Sequence, residues 1–519
     1  MGTAASAIAA SRARGLTGPL RRCAFLALLA AAPLLEHVNS DVFYFPAVLN
    51  GWVLLPLGAL FMLPMLDLRG PLRWAQLDLL ALVCFAVALA CEEPLSTWPV
   101  LLAYPPLAYL ALRMIALARA RGLERPLGAR AHAPALRALL GTPWLVLGIA
   151  VLACVHVDWA LSSSAVSDVG EAGVAGALRI LHGHALYGRA GGAHVADGHL
   201  DTYGPFDYVA YVPFAALAGA TLAAHLAALF FDLLTAALLL ALGRLHAGVR
   251  AGVLLAFCWL AFPLTFYEDA LGYNDSLVAA ALVTTLLVAR SPARRGAMAA
   301  LAAWTKLSPL ALVGLLALHR TRGARMIVEF AGAFALASAL VFVPALSHDS
   351  IHTFLARTVG FQSGRAPSGS LWWALQNRYA MHMPWLGALS RVAHGLLVAG
   401  TGALAVMLLR VPDRDDIAGL AAACAALLTS IEICLGYWSY SYVLWFSPLV
   451  LVALILRSRP ADELEQRIGE VRRRCEDAPG EIIVHRQVGH AQASAFADEG
   501  PGGDVPRLDG ALEVGVEAP

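Results

Sequence analysis

Of the 519 residues, 59% are hydrophobic and only 14% are charged, and the mean hydropathy is +0.68. Soluble domains carry roughly a quarter charged residues, so this composition excludes a soluble enzyme and a disordered chain. Basic and acidic residues nearly cancel, 37 against 36, which excludes a nucleic-acid partner bound through a large basic excess. The remaining class is an all-α polytopic membrane protein, either a transporter or a membrane-embedded enzyme.

A membrane span needs about 20 mostly apolar residues. The N-terminal region, 1–142, offers candidates at 23–37, 46–66, 76–91 and 97–117, with no role assigned to them. A second membrane module, 143–459, offers 143–161, 221–243, 251–267, 276–289, 326–345, 392–409, 416–434 and 440–457. The apolar stretch 296–319 is broken at Lys306-Leu307-Ser308-Pro309, and the loss of an amide donor at proline predicts two short helices meeting there. Together these give about fourteen crossings at the usual span length. The segment 204–219 is short and carries polar groups on an apolar body, which predicts an interfacial helix.

Arginines gather in alternate loops, such as the six at 113–142. Cytoplasmic loops carry the excess of positive charge, so this alternation places both termini in the cytoplasm. Two outward loops are then long, 162–220 and 346–391, and the second departs from the rule with four arginines. From Pro460 the chain turns polar and rich in glycine and proline, with a candidate helix from Glu463 to Glu476. This predicts a cytoplasmic, largely disordered tail over 460–519.

The first long loop begins with Asp168 and Glu171, three residues apart and therefore on one helix face at the membrane surface. A carboxylate there can serve as a general base towards a hydroxyl. It can equally serve the helix end, with Ser167 or Asp168 as cap and Glu171 favouring the positive terminus. Further on, Asp201, Tyr203 and the Gly204-Pro205 turn lead into the interfacial segment. Tyr208 and Tyr211 there fit an aromatic belt, or a surface on which a sugar ring stacks.

The turn 266–277 packs Glu268, Asp269, Asn274 and Asp275 between two apolar runs. Oxygen ligands in such a turn can hold a divalent cation, although no metal ligand is assigned. Helix capping is the simpler role for Glu268 and Asp269, and Asp275 is the stronger functional candidate. Neither a zinc centre nor a disulfide framework is indicated, because the eight cysteines contain no CxxC pair.

Lys306 is the sole lysine and sits inside an apolar stretch, where an ionisable group is costly and faces a cavity, a partner or the interface. The second long loop adds Arg357, Arg365, Arg378, His348, His352 and His382 among aromatic residues. That cationic character suits phosphate, which a guanidinium grips with two parallel hydrogen bonds. Late in the chain, Glu432 lies within a span, and Tyr437, Trp438, Tyr440 and Tyr442 crowd the last outward turn.

The ordered set of these features resembles the GT-C membrane glycosyltransferases, in particular bacterial family 87-like enzymes related to polyprenol-phosphate-mannose-dependent mannosyltransferases. The resemblance covers roughly 143–457 and rests on Asp168-Val169-Gly170, Gly176-Ala177, His182-Gly183, Leu186-Tyr187-Gly188 and Asp201-Thr202-Tyr203-Gly204-Pro205. It continues through Asn274-Asp275, Thr305-Lys306 with Pro309, Gly360-Phe361-Gln362 with Gly364-Arg365, and the Tyr437–Pro448 stretch.

The resemblance implies a GT-C-like bundle in a bacterial plasma membrane and an inverting sugar transfer on its outer face. The implied donor is a polyprenyl-phosphate sugar, mannose-like, and the acceptor a lipid or glycan. By position Asp168 is the implied base, with Glu171 the second carboxylate, while Asp201, Tyr203, Asn274, Asp275 and Gln362 are expected to bind substrate. On charge alone, Lys306 and Arg365 are expected to stabilise the departing lipid phosphate. The runner-up is a multi-pass transporter or lipid flippase, which favours repeats, broken helices and charges deep in several spans. Here the polar chemistry gathers in two outward loops instead.

Overall fold

The computed structural model describes residues 18–33, 51–66, 74–91, 98–119, 139–187, 201–365, 367–409 and 416–457. The tail 460–519 with its candidate helix, the N-terminal arginines before residue 18 and most of the loop 113–142 lie outside the described residues. So do Gly188 and the rest of 188–200.

The described residues are helical, and their one β-type pairing is an isolated bridge between Ser368 and Tyr437. In order they form α1 (18–33), α2 (Gly51–Met62), α3 (Trp74–Ala90), α4 (Trp98–Arg119), α5 (Thr142–Ser162) and α6 (Asp168–Leu181). Next come α7 (Pro205–Ala215), α8 (Ala220–Ala247), α9 (Val249–Leu260), α10 (Pro263–Leu271), α11 (Asp275–Leu287) and α12 (Pro292–Thr305). A short 3-10 turn, Ser308–Leu312, leads to α13 (Val313–Leu318) and α14 (Ala324–Leu346). The second long loop holds α15 (Ile351–Leu355), α16 (Phe361–Gly364) and α17 (Leu371–Trp373), and α18 (Pro384–Leu408), α19 (Ile417–Cys434) and α20 (Val443–Arg457) complete the set.

Seven helices are long and apolar enough to cross a membrane, and α9 with α10 makes an eighth if the bent pair is one span. The expected count of fourteen is therefore not reached among the described residues. The apolar helices Asp275–Leu287 and Ser308–Leu318 are each too short, at 1.5 Å per residue, for a core about 30 Å thick. Hydropathy registers apolar composition, and it cannot tell a full span from a half-length helix buried among others.

Burial divides the spans into two kinds. The windows in α19 and in Tyr440–Arg457 are 83% and 89% buried, whereas those in α14 and α18 are 17% and 11% buried. The exposed faces of α14 (Leu336, Leu340, Val343) and α18 (Leu389, Val392, Leu396) are aliphatic, as a lipid-facing surface requires.

Three local features shape the chain around Lys306. The α9–α10 pair bends by 53°, and Pro263 falls at the start of α10, where a missing amide donor breaks no helical bond. α10 then ends on Gly272 at φ 62°, a left-handed conformation that a side chain disfavours, and the chain turns into α11 with Asn274 before its first residue, Asp275. Finally, α12 stops at Thr305 and Lys306 is extended (φ −134°, ψ 149°), which places the predicted break at the lysine itself.

Within the segment 204–219, Pro205–Ala215 forms α7, an eleven-residue helix. Its tyrosines are a correction. Tyr208 and Tyr211 are fully buried, not arrayed in an aromatic belt, because the bare faces of Gly176 and Gly173 on α6 leave room for their rings. Tyr208 Oη accepts the Tyr203 amide N–H at 3.1 Å, so burial still leaves that hydroxyl a partner.

Candidate active site

The starts of α6, α11 and α20 and the end of α12 come together around one lysine. Lys306 Nζ donates to Asp275 Oδ1 at 2.5 Å, and the Trp445 indole N–H donates to the same oxygen at 2.5 Å. Asp275 is fully buried and Lys306 nearly so. Three rings surround the ammonium, with centroids 5.5 Å away for Tyr203 and Trp445 and 5.9 Å for Tyr442. Such a cage attracts the cation through the negative faces of the rings. Tyr442 also stacks on Trp445 at 4.3 Å, so the late aromatic turn forms one wall.

Close backbone packing brings Tyr203 to the lysine. The Gly204 N–H donates to the Thr305 carbonyl at 3.1 Å, and a Cβ on Gly204 would lie 2.0 Å from the Trp304 carbonyl oxygen. Only glycine permits this approach of the first loop to the end of α12.

Asp168 is the first residue of α6. Ser167 is the cap of α6, accepting the Gly170 N–H at 3.2 Å, and its own N–H donates to the Leu271 carbonyl at 2.7 Å. The start of α6 is thereby tied to the turn that carries Asp275. Asp168 is exposed, and its charge bears on the hydroxyls of Tyr203, Tyr273 and Tyr442. Glu171 is also exposed, one turn further along the helix.

The guanidinium of Arg365 lies 3.3 Å from the Tyr437 ring centroid and 5.5 Å from that of Phe361. Its charge reaches the Tyr442 hydroxyl as well. Asp168, Tyr203, Asp275, Lys306 and Arg365, spread over nearly two hundred positions of sequence, thus share one neighbourhood.

Asn274 faces a different carboxylate. Its Nδ2 donates to Asp207 Oδ1 at 2.7 Å, and Asp207 is fully buried. Burial pushes the Asp207 carboxyl up to about 8; the Asp275 charge also raises it, while Lys306 and the Asn274 amide pull it down. Asp201 is buried too and takes a two-pronged ion pair from Arg357, one contact being Nε to Oδ2 at 2.7 Å. That pair clasps the two long loops 162–220 and 346–391 together, a task reinforced by Asp349 accepting the Leu186 and Tyr187 N–H groups at 2.6 and 2.8 Å. Gln362 is exposed on α16.

The acidic turn divides its work. Glu268 does cap a helix, its Oε1 accepting the Ser276 N–H in the first turn of α11 at 2.7 Å. Asp269 does not; it turns into the bundle and meets His156 Nδ1 at 2.5 Å. His156, Asp207, Asp232 and Trp445 escaped the sequence reading. A signal existed for the first and third, since each is an ionisable residue within an apolar span. Asp207 and Trp445 gave none, because their importance lies in what the fold brings opposite them.

Residues 202–435 match the family model described as glycosyltransferase family 87. No curated protein matches the chain at a significant level. The family match and the apolar helices together indicate a membrane glycosyltransferase and do not favour the transporter reading.

Proposed function

We propose that this membrane glycosyltransferase, family 87-like over residues 202–435, moves a mannose-like sugar from a polyprenyl-phosphate donor to a lipid or glycan acceptor on the outer face of a bacterial plasma membrane. The carrying observation is the buried Lys306–Asp275 pair ringed by Tyr203, Tyr442 and Trp445, with Asp168 opening the helix that Ser167 ties to the end of α10, just before the Asp275 turn. An acid and a caged cation suit a displacement in which the acid takes a proton and the cation receives a departing phosphate.

In that displacement Asp168 accepts the acceptor hydroxyl proton as its oxygen attacks the anomeric carbon. The bond between that carbon and the phosphate oxygen breaks on the far side, so the configuration inverts. The lipid phosphate departs carrying the negative charge. Lys306 has three N–H donors and commits one to Asp275, which leaves others for phosphate oxygens. Asp275 holds the ammonium in place, and Arg365, stacked on Tyr437, presents its edge to the same anion. Asp168 is assigned ahead of Glu171 because it is the first residue of α6, next to Ser167, whose N–H ties the helix start to the Leu271 carbonyl at the end of α10. Asp201 acts by positioning, through Arg357, and Asn274 by holding Asp207 beside the lysine.

The test is mass spectrometry of envelope lipids and glycans from a strain lacking the protein. A missing sugar, restored by purified protein and polyprenyl-phosphate mannose, supports this reading. Intact glycans with altered solute uptake contradict it and favour transport.

A further inference from the structure

A second cluster of charge lies behind the outward site, among α5, α8 and α10. His156, Asp232 and Asp269 are each fully buried, and one ligand atom from each lies within 4.8 Å of the others. The imidazole Nε2 is 2.9 Å from the Leu260 carbonyl oxygen. A carbonyl can only accept, so Nε2 carries the hydrogen. Nδ1 then faces two carboxylate oxygens, Asp269 Oδ2 at 2.5 Å and Asp232 Oδ2 at 3.5 Å. In the neutral ring Nδ1 is a lone pair, and three lone pairs do not converge unless a positive species sits among them.

Two further observations weigh on what that species is. Asp232 Oδ2 and Asp269 Oδ1 have no hydrogen-bond partner although they are shut away from solvent. Two ionised carboxylates also require two positive charges for neutrality, and an imidazolium proton supplies one. A divalent ion supplies both and leaves His156 neutral. The grip of a backbone carbonyl on the remote ring N–H is how proteins orient a histidine that binds metal. Ligands bonded at about 2.0–2.2 Å sit about 3 Å or slightly more apart, a spacing these three atoms reach with small side-chain shifts.

We propose that His156, Asp232 and Asp269 form a binding site for a divalent first-row cation, of the Mn²⁺ or Zn²⁺ kind, buried among α5, α8 and α10. One nitrogen and two carboxylate oxygens suit those ions better than Ca²⁺, which prefers six to eight oxygens. The ion serves position, not chemistry. Asp232 Oδ1 accepts the Ser276 hydroxyl at 2.7 Å, and Ser276 follows Asp275 in the first turn of α11. Filling the site therefore locks the turn that presents Asp275 to Lys306. The site stands whether or not the outward cleft transfers sugar.

The experiment uses the full chain, purified in detergent, stripped with chelator and reloaded with Mn²⁺ alone. Binding is followed by electron paramagnetic resonance, and metal content by mass spectrometry. The expected result is one ion per chain with electron-spin-echo modulation from a coordinated imidazole nitrogen. Separately, His156→Gln, Asp232→Asn and Asp269→Asn should each weaken binding by roughly tenfold or more. Absence of a stoichiometric ion, or an ion without nitrogen modulation, overturns the proposal and leaves a cluster held by protons. Unchanged binding in folded variants overturns it equally. Should the variants fail to fold, the nitrogen signature of the unaltered protein still decides.

Discussion

Asp275→Asn is the perturbation that separates a working ion pair from an incidental one. The amide keeps an oxygen for the Trp445 indole N–H but removes the negative charge opposite Lys306. With both partners buried, breaking such a pair from one side costs about 3–5 kcal/mol, because an uncompensated charge remains. Lys306→Met breaks it from the other side at similar cost. The double variant leaves no stranded charge, so its loss should fall short of the sum by about 2–3 kcal/mol, the coupling expected of residues in direct contact. Denaturant titration in mixed micelles, followed by tryptophan fluorescence, measures all four proteins. Single losses within about 0.5 kcal/mol that simply add would refute the pairing and the idea that Asp275 holds the lysine for phosphate.

Three further outcomes follow from the same geometry. Arg365→Ala should raise the donor KM with little change in stability, since the side chain is only partly buried, and Arg365→Lys should not restore it because the planar fork and its stacking on Tyr437 are lost. Asp207 has its carboxyl raised to about 8 from an unfolded value near 3.8, so the folded chain binds the extra proton between those limits. Its contribution to stability is therefore greatest at low pH and declines as pH rises towards 8. Asp207→Asn should flatten that decline in a plot of thermal stability against pH; parallel curves for the two proteins would contradict it.

Much of the architecture could be read from residue order, and the reasons for the exceptions are physical. The helix break at Lys306 was visible because proline and a lone charge interrupt an apolar run, and the α7 segment because it is too short to cross. Among the described residues, α11 matches a span in composition and differs in length, so composition alone does not give the number of spans. Tyr208 and Tyr211 looked like surface anchors because nothing local reveals that Gly173 and Gly176 would receive them. At the site, Asp168, Asp275, Lys306 and Arg365 stood out as charges in unusual places. Their partners did not: Trp445 resembles any aromatic residue of a span, and Asp207 any acid in the first turn of a helix. The His156–Asp232–Asp269 cluster draws on three separate helices, and sequence spacing carries no trace of that meeting.

The central claim is that Asp168 takes the acceptor proton while the cations hold the leaving phosphate. Single-turnover sugar transfer by Asp168→Asn, with donor saturating, tests it most directly. The account predicts a rate lower by about 10²–10⁴-fold, unchanged donor binding, and near-normal rates for Glu171→Gln. A near-normal rate in Asp168→Asn, or its loss in Glu171→Gln instead, would contradict it.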